Sequence, residues 1–549
     1  MRYVLTINPT IGGFGTHDPA AALFADGELV FAAEEGRLLG RKRAPETFPT
    51  TAIERALDHA GIDGRAVDLV TVPWDGSLGR SDGGAESENG GDDRGRTRVR
   101  RALTGAIGAE PPVRWVNHHR SHAASAFGPS GFDEALVLTI DGRGARDSTV
   151  VWHGTAAGLE RVRRYEAPNS LGYLYAAVTG YLGFQPFGGE GKTMALAAYG
   201  TDGSAELARL RGVVRGGVEY DVTGLVGSGV PTAITRLERL LDAPRVSSRE
   251  GFRPREAALA SAVQGLLEET VGEICETYCE ELGVSRVCLA GGVGLNCKLN
   301  QRLSASPAVD ALFVQPVAHD AGAALGAPIV LGEAESLPST LYWGPGIEGE
   351  AVGALLDRRG IEYSTPADLE RTVAGALADG KLVGWVQGRL EVGPRALGNR
   401  SVLADPRSAG ARDRVNGFVK GRAAWRPFAP SVPLGAADRY FEGPLPLPYM
   451  IRTVDVDPDR EGEIRAALHP GDLTARPQTV RERENPRFHR LLEAFGELTG
   501  VSVLLNTSFN EAGEPIVATA VDAVETFERT GLDLLVVGEY VVGSSGEPV

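Results

Sequence analysis

The chain has 549 residues, a net charge of −16, and ordinary fractions of hydrophobic (42%) and charged (23%) residues. This length exceeds what one hydrophobic core supports, so we expect a globular protein of two or three domains. The acidic charge argues against a surface that coats nucleic-acid phosphates. The N-terminal MRYVLTIN enters a strand pattern without a signal peptide, and no apolar run approaches about 18 residues. We therefore expect a cytoplasmic protein that has no membrane span.

Residues 3–35 and 135–166 share one order of predicted elements: a strand, a glycine-rich loop and a β-hairpin. The two loops present Asp18 and Asp141 near strand ends. Duplicated halves of this kind build the nucleotide cleft between two α/β lobes in actin and hexokinase, although hairpins also occur in many other α/β proteins. His17, at the tip of the first loop, is placed to take the proton from an attacking hydroxyl.

The segment HHRSH carries the sharpest candidate site. His118 and His122 lie four residues apart, so on a helix both imidazoles project from one face and can share a metal, whereas His119 points elsewhere. Asp141 ends an apolar strand and Asp320 lies in a Gly/Ala-rich turn, so both can complete a site of two histidines and two aspartates. Mixed nitrogen and oxygen ligands suit Fe²⁺, Mn²⁺ or Zn²⁺. The alternative is that these are ordinary core or surface histidines.

A third glycine-rich turn, GGVGLN, contains Gly291, Gly292 and Asn296. It follows the apolar strand VCLA and precedes a helical pattern, a context that lets backbone amides approach a nucleotide. Its spacing matches neither a Walker A loop nor a Rossmann fingerprint. A plain strand-to-helix turn is the alternative.

Two stretches lack the pattern of a folded core. Residues 75–98 are rich in Gly, Asp and Ser, which predicts a flexible surface insertion. Residues 336–350 contain proline and glycine and are typical of an interdomain connection. Alternating strand and helix patterns follow it, so we expect domains of residues 1–340 and 350–549, the second also α/β.

Cations of the second domain are embedded among Gly, Pro and apolar residues rather than on a polar helix face. A small, strongly anionic ligand such as a phosphate would compensate them. Structural salt bridges to the abundant carboxylates are the alternative. The cations are Arg395, Arg400, Lys420, Arg422, Arg426 and Arg476.

The strand pattern VSVLL ends in a turn crowded with amide and hydroxyl groups, which include Asn506 and Ser508. Such a turn is suited to hydrogen-bonding a planar carbamoyl group or phosphate oxygens. An ordinary Asn/Ser turn would look similar, though seldom with so many polar groups.

Together these motifs resemble the NodU/CmcH family of O-carbamoyltransferases, which act on sugars and antibiotics. The matching strings occur in the family's order and run from near residue 7 to near residue 520. They are THDPAAAL, the EE–R–K stretch at 34–42, HHRSHA, DGRG, GGEGKTMALAAYG, LAGGVGLN, AHDAGAALG, GRLEVGPRALGNRSVLADPR, RPFAPSV, TARPQT and LLNTSFNEAGEPIV.

The resemblance implies an N-terminal domain of the duplicated actin-like ATPase fold, similar to the tRNA threonylcarbamoyladenosine synthase subunit, and a C-terminal YrdC-like α/β domain. It also implies two-stage chemistry. Carbamoyl phosphate and ATP, the latter with Mg²⁺, first give carbamoyl adenylate in the C-terminal pocket, with release of pyrophosphate or phosphate. A hydroxyl of a small-molecule acceptor then attacks the carbamoyl carbon in the metal-containing N-terminal domain.

The resemblance further implies a role for each matching residue. The metal, for which it implies iron, is assigned to His118, His122, Asp141 and Asp320. His17 is the general base. Nucleotide binding is assigned to Lys42, Lys192, Gly291, Gly292 and Asn296. Carbamoyl phosphate binding is assigned to Arg395, Lys420, Arg426, Arg476, Asn506 and Ser508.

Two positions depart from the family pattern. The family usually has a histidine after the lysine at 42, where this chain has Arg43, and a glutamate where this chain has Ala423. Both departures concern local contacts rather than the reaction class.

Two other functions remain open from the sequence. One is a threonylcarbamoyl transferase that acts on tRNA, against which stand the acidic charge and the complete EVGPRALGNRS and LLNTSFN blocks. The other is a non-catalytic nucleotide-binding regulator, which leaves the paired histidines and the embedded cations unexplained. We expect no nucleic-acid or membrane partner, and a homodimer is the default for a soluble enzyme.

Overall fold

The computed structural model describes residues 1–75, 93–200, 203–247 and 251–544. It consists of two compact units: Met1–Glu35 with Arg43–Ser339, and Gly36–Lys42 with Thr340–Val549. The short segment Gly36–Lys42 thus belongs to the second unit, although the chain on both sides of it belongs to the first. Most of the predicted insertion at 75–98 lies outside the described residues, and its last part, from Asp93, is helical.

The first unit contains two five-stranded mixed sheets with the same strand order. In the first sheet, order β3-β2-β1-β4-β5, an antiparallel meander is extended by two parallel strands. The second sheet, β8-β7-β6-β9-β10, repeats that arrangement and confirms the predicted duplication. The strands are β1 (Tyr3–Asn8), β2 (Ala20–Ala25), β3 (Glu28–Glu34), β4 (Val67–Val72), β5 (Val113–Trp115), β6 (Ala135–Gly144), β7 (Asp147–Thr155), β8 (Gly158–Glu166), β9 (Arg286–Ala290) and β10 (Ala311–Val314).

Helices cover these sheets. They are α1 (Glu35–Leu38), which leads into the second unit, α2 (Thr50–Ala60), α3 (Asp93–Ile107), α4 (His118–Ser130), α5 (Leu171–Tyr181), α6 (Glu190–Ala197), α7 (Ser204–Arg211), α8 (Thr223–Val226), α9 (Val230–Leu241), α10 (Pro254–Leu282), α11 (Cys297–Ser304) and α12 (Asp320–Val330). α4 and α12 pack closely: a Cβ on Gly326 would lie 1.8 Å from the Ser121 carbonyl oxygen. Only glycine permits this approach.

The second unit is built on a seven-stranded mixed sheet in the order β14-β13-β15-β12-β11-β16-β17. Its strands are β11 (Val383–Val386), β12 (Arg400–Ala404), β13 (Ala429–Pro433), β14 (Gln478–Val480), β15 (Leu504–Ser508), β16 (Leu534–Val537) and β17 (Tyr540–Gly543). Its helices are α13 (Gly349–Arg359), α14 (Leu369–Ala378), α15 (Ala409–Arg414), α16 (Pro486–Thr499) and α17 (Ala520–Arg529).

Both faces of this sheet are buried, because adjacent residues of β12 enter different apolar clusters. Leu403 packs with α14 and α16, and Val402 packs with α13 and α17. The α/β prediction is therefore confirmed for both units, while the YrdC-like identity of the second stays a prediction. Among the described residues, every helix is too short or too polar to span a bilayer.

Candidate metal centre and anion site

Four side chains of the first unit converge on one point. α4 begins at His118, and the Asn117 side chain caps it by accepting from the Arg120 N–H at 2.9 Å. This helix start places His118 and His122 on one face, where Asp141 from β6 and Asp320 from the start of α12 meet them. One ligand atom from each residue lies within 4.8 Å of the other three.

The distances suit a shared metal ion better than direct hydrogen bonds. His122 Nε2 lies 3.3 Å from Asp141 Oδ2 and 4.0 Å from Asp320 Oδ1, and His118 Nε2 lies 3.8 Å from both oxygens. Ligand atoms about 2.1 Å from a common ion are separated by roughly these lengths. The four residues therefore fit a divalent metal by spacing.

Hydrogen bonding in the cluster points the same way. His118 Nδ1 faces the Pro73 carbonyl oxygen at 3.2 Å, which fixes its proton there, and its ring stacks on Trp74 with centroids 4.0 Å apart. Among the described residues, His118 Nε2 and both ring nitrogens of His122 are buried without a hydrogen-bond partner. Buried polar atoms without partners are costly, and a metal would satisfy the Nε2 pair.

The two carboxylates are buried side by side. Burial raises the pKa of Asp141, but the adjacent imidazoles of His118 and His122 outweigh it and hold that pKa well below its usual range. Burial and the negative charge of Asp141 raise the pKa of Asp320 well above its usual value. A cation between them would remove this repulsion.

His119 is separate from this centre, as predicted. Its Nδ1 lies 3.0 Å from Thr139 Oγ1 and its Nε2 lies 3.0 Å from the Asp147 carbonyl oxygen. Burial lowers its pKa to about 4. It is a core histidine with both nitrogens occupied.

The predicted base His17 lies in the β1–β2 loop with its side chain 20% exposed. Its Nδ1 is 2.8 Å from Asp18 Oδ2 and 2.9 Å from Arg43 Nη2. Burial raises the pKa of Asp18, but the hydrogen bond from His17 and the charges of His319 and Arg43 have the larger effect. The net result is a pKa below the usual range. Asp18 is therefore a carboxylate that can hold a proton on His17 Nδ1; Arg43 then donates to Asp18 Oδ2 and not to Nδ1, and Nε2 is left to accept another proton.

The sequence patterns did not predict the contact of Arg43 with His17. Arg43 occupies the position where the family pattern usually has histidine, and its guanidinium also lies 3.2 Å from Asp18 Oδ2. Nearby, His319 Nε2 pairs with Glu34 Oε1 at 3.1 Å. The contact of Arg43 could have been suspected only from its departure from the family pattern. No sequence pattern predicted the pairing of His319 with Glu34.

The glycine turn after β9 adjoins the metal centre. Gly291 has φ +86°, and a Cβ there would lie 2.3 Å from the Ile140 carbonyl oxygen. The Gly292 N–H donates to Asp141 Oδ2 at 3.2 Å. Asn296 caps α11 and exchanges hydrogen bonds with Gln264 at 2.9 and 3.0 Å.

The two lysines predicted to bind nucleotide belong to different units. Lys192 lies in α6 of the first unit, 5.5 Å above the Phe184 ring. Lys42 belongs to the second unit, where its charge contributes to lowering the pKa of Lys420. Lys42 thus belongs to the unit that contains the predicted anion pocket, and its assignment to nucleotide binding stays a prediction.

Several cations of the second unit lie close to one another. Burial, followed by the charges of Arg422, Arg426 and Lys42, lowers the pKa of Lys420 well below its usual range. Burial, followed by the charges of Arg426 and Arg476, also lowers the pKa of Arg422 well below its usual range. Burial alone lowers the pKa of Arg426. Within the described ranges, Lys420, Arg422 and Arg426 make no ion pair with a carboxylate. The salt-bridge alternative therefore does not explain them, and an anion would.

The polar residues at the end of β15 meet this cluster. The prediction that Asn506 and Ser508 lie in a turn was wrong, because β15 extends to Ser508 and pairs with β12 through both residues. The Lys420 ammonium donates to the Ser508 carbonyl oxygen, to Ser508 Oγ at 3.2 Å and to Asn510 Oδ1 at 2.9 Å. Asn506 lies on the same face of β15 as Ser508. Its amide nitrogen donates to Ser431 Oγ at 3.0 Å, whereas its Oδ1 is buried without a partner in the part of the chain that the structure describes.

Two arginines of the EVGPRALGNRS block differ in environment. Arg395 is half-buried in a loop that Glu391 holds by accepting the N–H groups of Leu397 and Asn399, each at 2.8 Å. Arg400 is fully buried, and its guanidinium donates only to backbone carbonyls, among them those of Gln387, Asn399 and Gly388. The inclusion of Arg400 among the anion-compensating cations was wrong, because the backbone already uses its donors.

Arg476 lies at the edge of the cluster, half-buried, and its Nη1 donates to the Met450 carbonyl oxygen at 2.8 Å. Arg37 was not predicted as a functional residue. Its buried guanidinium donates to the carbonyl oxygens of Glu391 and Gly393, which fastens the Gly36–Lys42 segment to the second unit.

The comparisons with known proteins agree across most of the chain. Residues 102–329 match the family model Carbamoyltransferase N-terminus, and residues 374–544 match Carbamoyltransferase C-terminus. The nodulation protein NolNO of Sinorhizobium fredii is 37% identical over 96% of this chain and 79% of its own length. The 3'-hydroxymethylcephem-O-carbamoyltransferase of Amycolatopsis lactamdurans is 30% identical over 95% of this chain and 97% of its own length.

Among solved structures, component A of the (R)-2-hydroxyglutaryl-CoA dehydratase of Acidaminococcus fermentans is 15% identical. It covers 60% of this chain and 96% of its own, with a TM-score of 0.34. The family models and the full-length relatives identify the reaction class: the chain belongs to the carbamoyltransferase family and is a carbamoyl-transferring enzyme.

Proposed function

We propose that the protein is an ATP-dependent O-carbamoyltransferase that forms carbamoyl adenylate from carbamoyl phosphate and transfers the carbamoyl group to a hydroxyl of a small sugar-like or antibiotic-like acceptor. The observation that carries this proposal is the buried cation cluster. Lys420, Arg422 and Arg426 have no carboxylate partner within the described ranges. Burial, followed by the charges of neighbouring cations, lowers the pKa values of Lys420 and Arg422, so a multiply charged anion such as carbamoyl phosphate would stabilise the cluster.

The adjacent amide suits the carbamoyl part of this ligand. Asn506 Oδ1 is a buried acceptor without a partner among the described residues, and a carbamoyl NH₂ group is a donor that would satisfy it. Arg395, Arg476 and Ser508 are proposed to complete the pocket. An enclosed pocket of this kind would also keep a labile acyl phosphate away from water.

In the first unit, the shared strand order of the two sheets supports an actin-like ATPase fold, and Lys192, Gly291, Gly292 and Asn296 are proposed to bind ATP with Mg²⁺. His118, His122, Asp141 and Asp320 would hold a divalent metal, Fe²⁺ by the family resemblance, with Mn²⁺ and Zn²⁺ also suited to these ligands. When bound, such an ion acts as a Lewis acid toward a carbonyl or phosphate oxygen.

The transfer step forms a bond between the acceptor oxygen and the carbamoyl carbon, and it breaks the bond between that carbon and the AMP oxygen. His17 Nε2 takes the hydroxyl proton, because Asp18 can hold the proton on Nδ1, and AMP leaves with the electron pair. The relative named as a cephem O-carbamoyltransferase supports a hydroxyl acceptor.

The first test is whether carbamoyl adenylate forms. The full chain is incubated with carbamoyl phosphate, ATP, Mg²⁺ and, in turn, Fe²⁺, Mn²⁺ or Zn²⁺, and the products are analysed by mass spectrometry. We expect carbamoyl adenylate that depends on both substrates. Its absence with all three metals would contradict the proposal, and nucleotide binding indifferent to carbamoyl phosphate would favour a non-catalytic regulator.

The second test addresses the base. We expect His17→Ala to lower transfer to an acceptor about 10³-fold, within the range for loss of a general base, and to leave adenylate formation intact. His153→Ala, a surface histidine 2.8 Å from Glu134, is the matched control. Full transfer activity in His17→Ala would refute the role of His17 and leave the family assignment untouched.

A further inference from the structure

Two aromatic side chains that the proposed reaction does not use lie beside His17. The Phe187 ring centroid is 6.4 Å from that of His17, and it meets the Tyr173 ring edge-on at 5.8 Å. Phe187 is 36% exposed and lies next to the polar cluster of His17, Asp18 and Arg43.

The two rings sit directly over the residue that follows the metal-centre carboxylate. An ideal Cβ on Gly142 would lie 3.0 Å from Tyr173 Cε1 and 3.8 Å from Phe187 Cε1. Ser170 fixes this arrangement, because its Oγ donates to the Gly142 carbonyl oxygen at 2.6 Å and accepts the Tyr173 N–H at 3.0 Å. The start of α5, and with it Tyr173, is thereby tied to the end of β6.

Phe187 is held in place at a cost in backbone energy. Its φ of +61° is a left-handed conformation that a bulky residue rarely adopts. The Phe187 N–H donates to Glu190 Oε1 at 2.6 Å, which secures the turn. Strain that holds an exposed ring toward a site is more often retained for binding than for packing.

Tyr173 adds a polar group to this apolar surface. Its hydroxyl has no hydrogen-bond partner among the residues that the structure describes, although the side chain is half-buried. Burial raises the pKa of Tyr173, and Arg143, Asp141 and Asp320 have smaller effects on it. The hydroxyl is therefore a neutral hydrogen-bond donor near the carboxylates of Asp141 and Asp320.

We propose that Tyr173 and Phe187 form the acceptor subsite, and that it binds a saccharide ring with one C–H face on Phe187 and a hydroxyl at Tyr173. The proposal rests on the proposed function for its acceptor hydroxyl at His17. A pyranose combines an apolar C–H face with flanking hydroxyls, which matches an exposed ring between a free phenol and a base. A flat or purely aliphatic alcohol would use only part of this surface.

Direct binding tests the subsite without relying on turnover. Saturation-transfer NMR is run on the full chain with a panel of methyl glycosides: β-glucoside, α-mannoside and N-acetyl-β-glucosaminide. We expect at least one glycoside to receive saturation at its ring C–H protons. That transfer is lost in Phe187→Leu, which keeps an apolar side chain but no ring, and retained in Phe187→Trp. Val162→Ala, which truncates a side chain 38% exposed on β8, is the control and leaves it unchanged.

Kinetics then separates binding from chemistry. With the bound glycoside as acceptor and labelled carbamoyl phosphate as donor, we expect Phe187→Leu and Tyr173→Phe each to raise the acceptor KM about 5- to 10-fold. Their kcat changes less than 3-fold, and adenylate formation without acceptor is unchanged. A fall in kcat at constant KM would contradict a binding role.

The outcomes distinguish this inference from the proposed function. No saturation transfer to any glycoside, or equal transfer in wild type and Phe187→Leu, overturns the saccharide subsite even if adenylate forms. Cyclohexylmethanol giving the same contrast as a glycoside overturns the saccharide assignment in favour of an apolar acceptor. Glycoside binding that depends on Phe187 in a protein that forms no adenylate supports the subsite and overturns the proposed function.

Discussion

The metal centre of the first unit and the cation cluster of the second are opposite cases of one arrangement. In the first, two carboxylates and two imidazoles are buried with unpaired atoms directed at one point, which an added cation would stabilise. In the second, Lys420 is buried beside the half-buried Arg422 and Arg426. None of the three pairs with a carboxylate among the described residues, so an added anion would stabilise them.

The two sites also differ in the backbone that carries them. The metal residues come from a helix start, a strand end and a second helix start. The cations come from the irregular segment 420–426, which follows a π-helical turn (Val415–Val419), and from the loop at 476. Regular elements fix side-chain directions by their own period, but a loop takes its path from its surroundings. Both sites therefore contain charged or polar groups without partners of opposite charge. Only the candidate metal centre could be predicted from a sequence period, the four-residue spacing of its histidines.

The largest expected effect comes from breaking the metal centre alone. We expect His122→Gln to reduce the bound divalent metal, proposed to be iron, at least 10-fold and transfer about 10³-fold, because one of two nitrogen ligands is lost. Metal content by mass spectrometry and labelled transfer are the measurements. His153→Gln is the control, and sulfate affinity at the cation cluster should not change. Full iron content in His122→Gln would show that the cluster is not the metal site.

A smaller effect is expected from the converse change. Arg426→Met should weaken sulfate and carbamoyl phosphate binding about 10- to 100-fold, since it removes a charged donor from a buried site. Iron content should stay at the wild-type level. Calorimetry checks both anions, with Arg439→Met, a surface arginine paired with Glu463, as the control. Unchanged affinity would place the anion elsewhere.

The smallest effect is a proton linkage at the cation cluster. Lys420 has a lowered pKa in the free protein, and a bound anion would raise that pKa, so binding should take up protons. Sulfate affinity should then fall about 2- to 5-fold per pH unit as the pH rises through the lowered pKa. Sulfate is suitable because it does not titrate in this range.

Calorimetry in buffers of different ionisation enthalpy measures the uptake directly. Lys420→Met should abolish the pH dependence, and Lys381→Met, an exposed lysine of the same unit, should keep it. An equally steep pH dependence in Lys420→Met would assign the proton to another group.

Much of the first unit could be predicted because its signals are local. The predicted strand–loop–hairpin order occurs in both five-stranded sheets, because a hairpin joins segments that are neighbours in the chain. The four-residue spacing of His118 and His122 required only that the segment be helical, and α4 begins at His118. The polar residues at the end of β15 could likewise be recognised in the sequence as a run of amides and hydroxyls.

The sequence by itself determined the candidate groups for the chemistry: the HxxxH pair, the glycine turns, and cations set among apolar residues. Only the tertiary structure decided which of them meet. It brings Asp141 and Asp320, far apart in the chain, to the histidines. It also places Lys42 in the second unit, and the Arg400 guanidinium donates to backbone carbonyl oxygens. It also placed Arg43, Tyr173 and Phe187 around His17 and Gly142. The reason is that helix and strand periods act over a few residues, whereas these contacts depend on how distant segments pack.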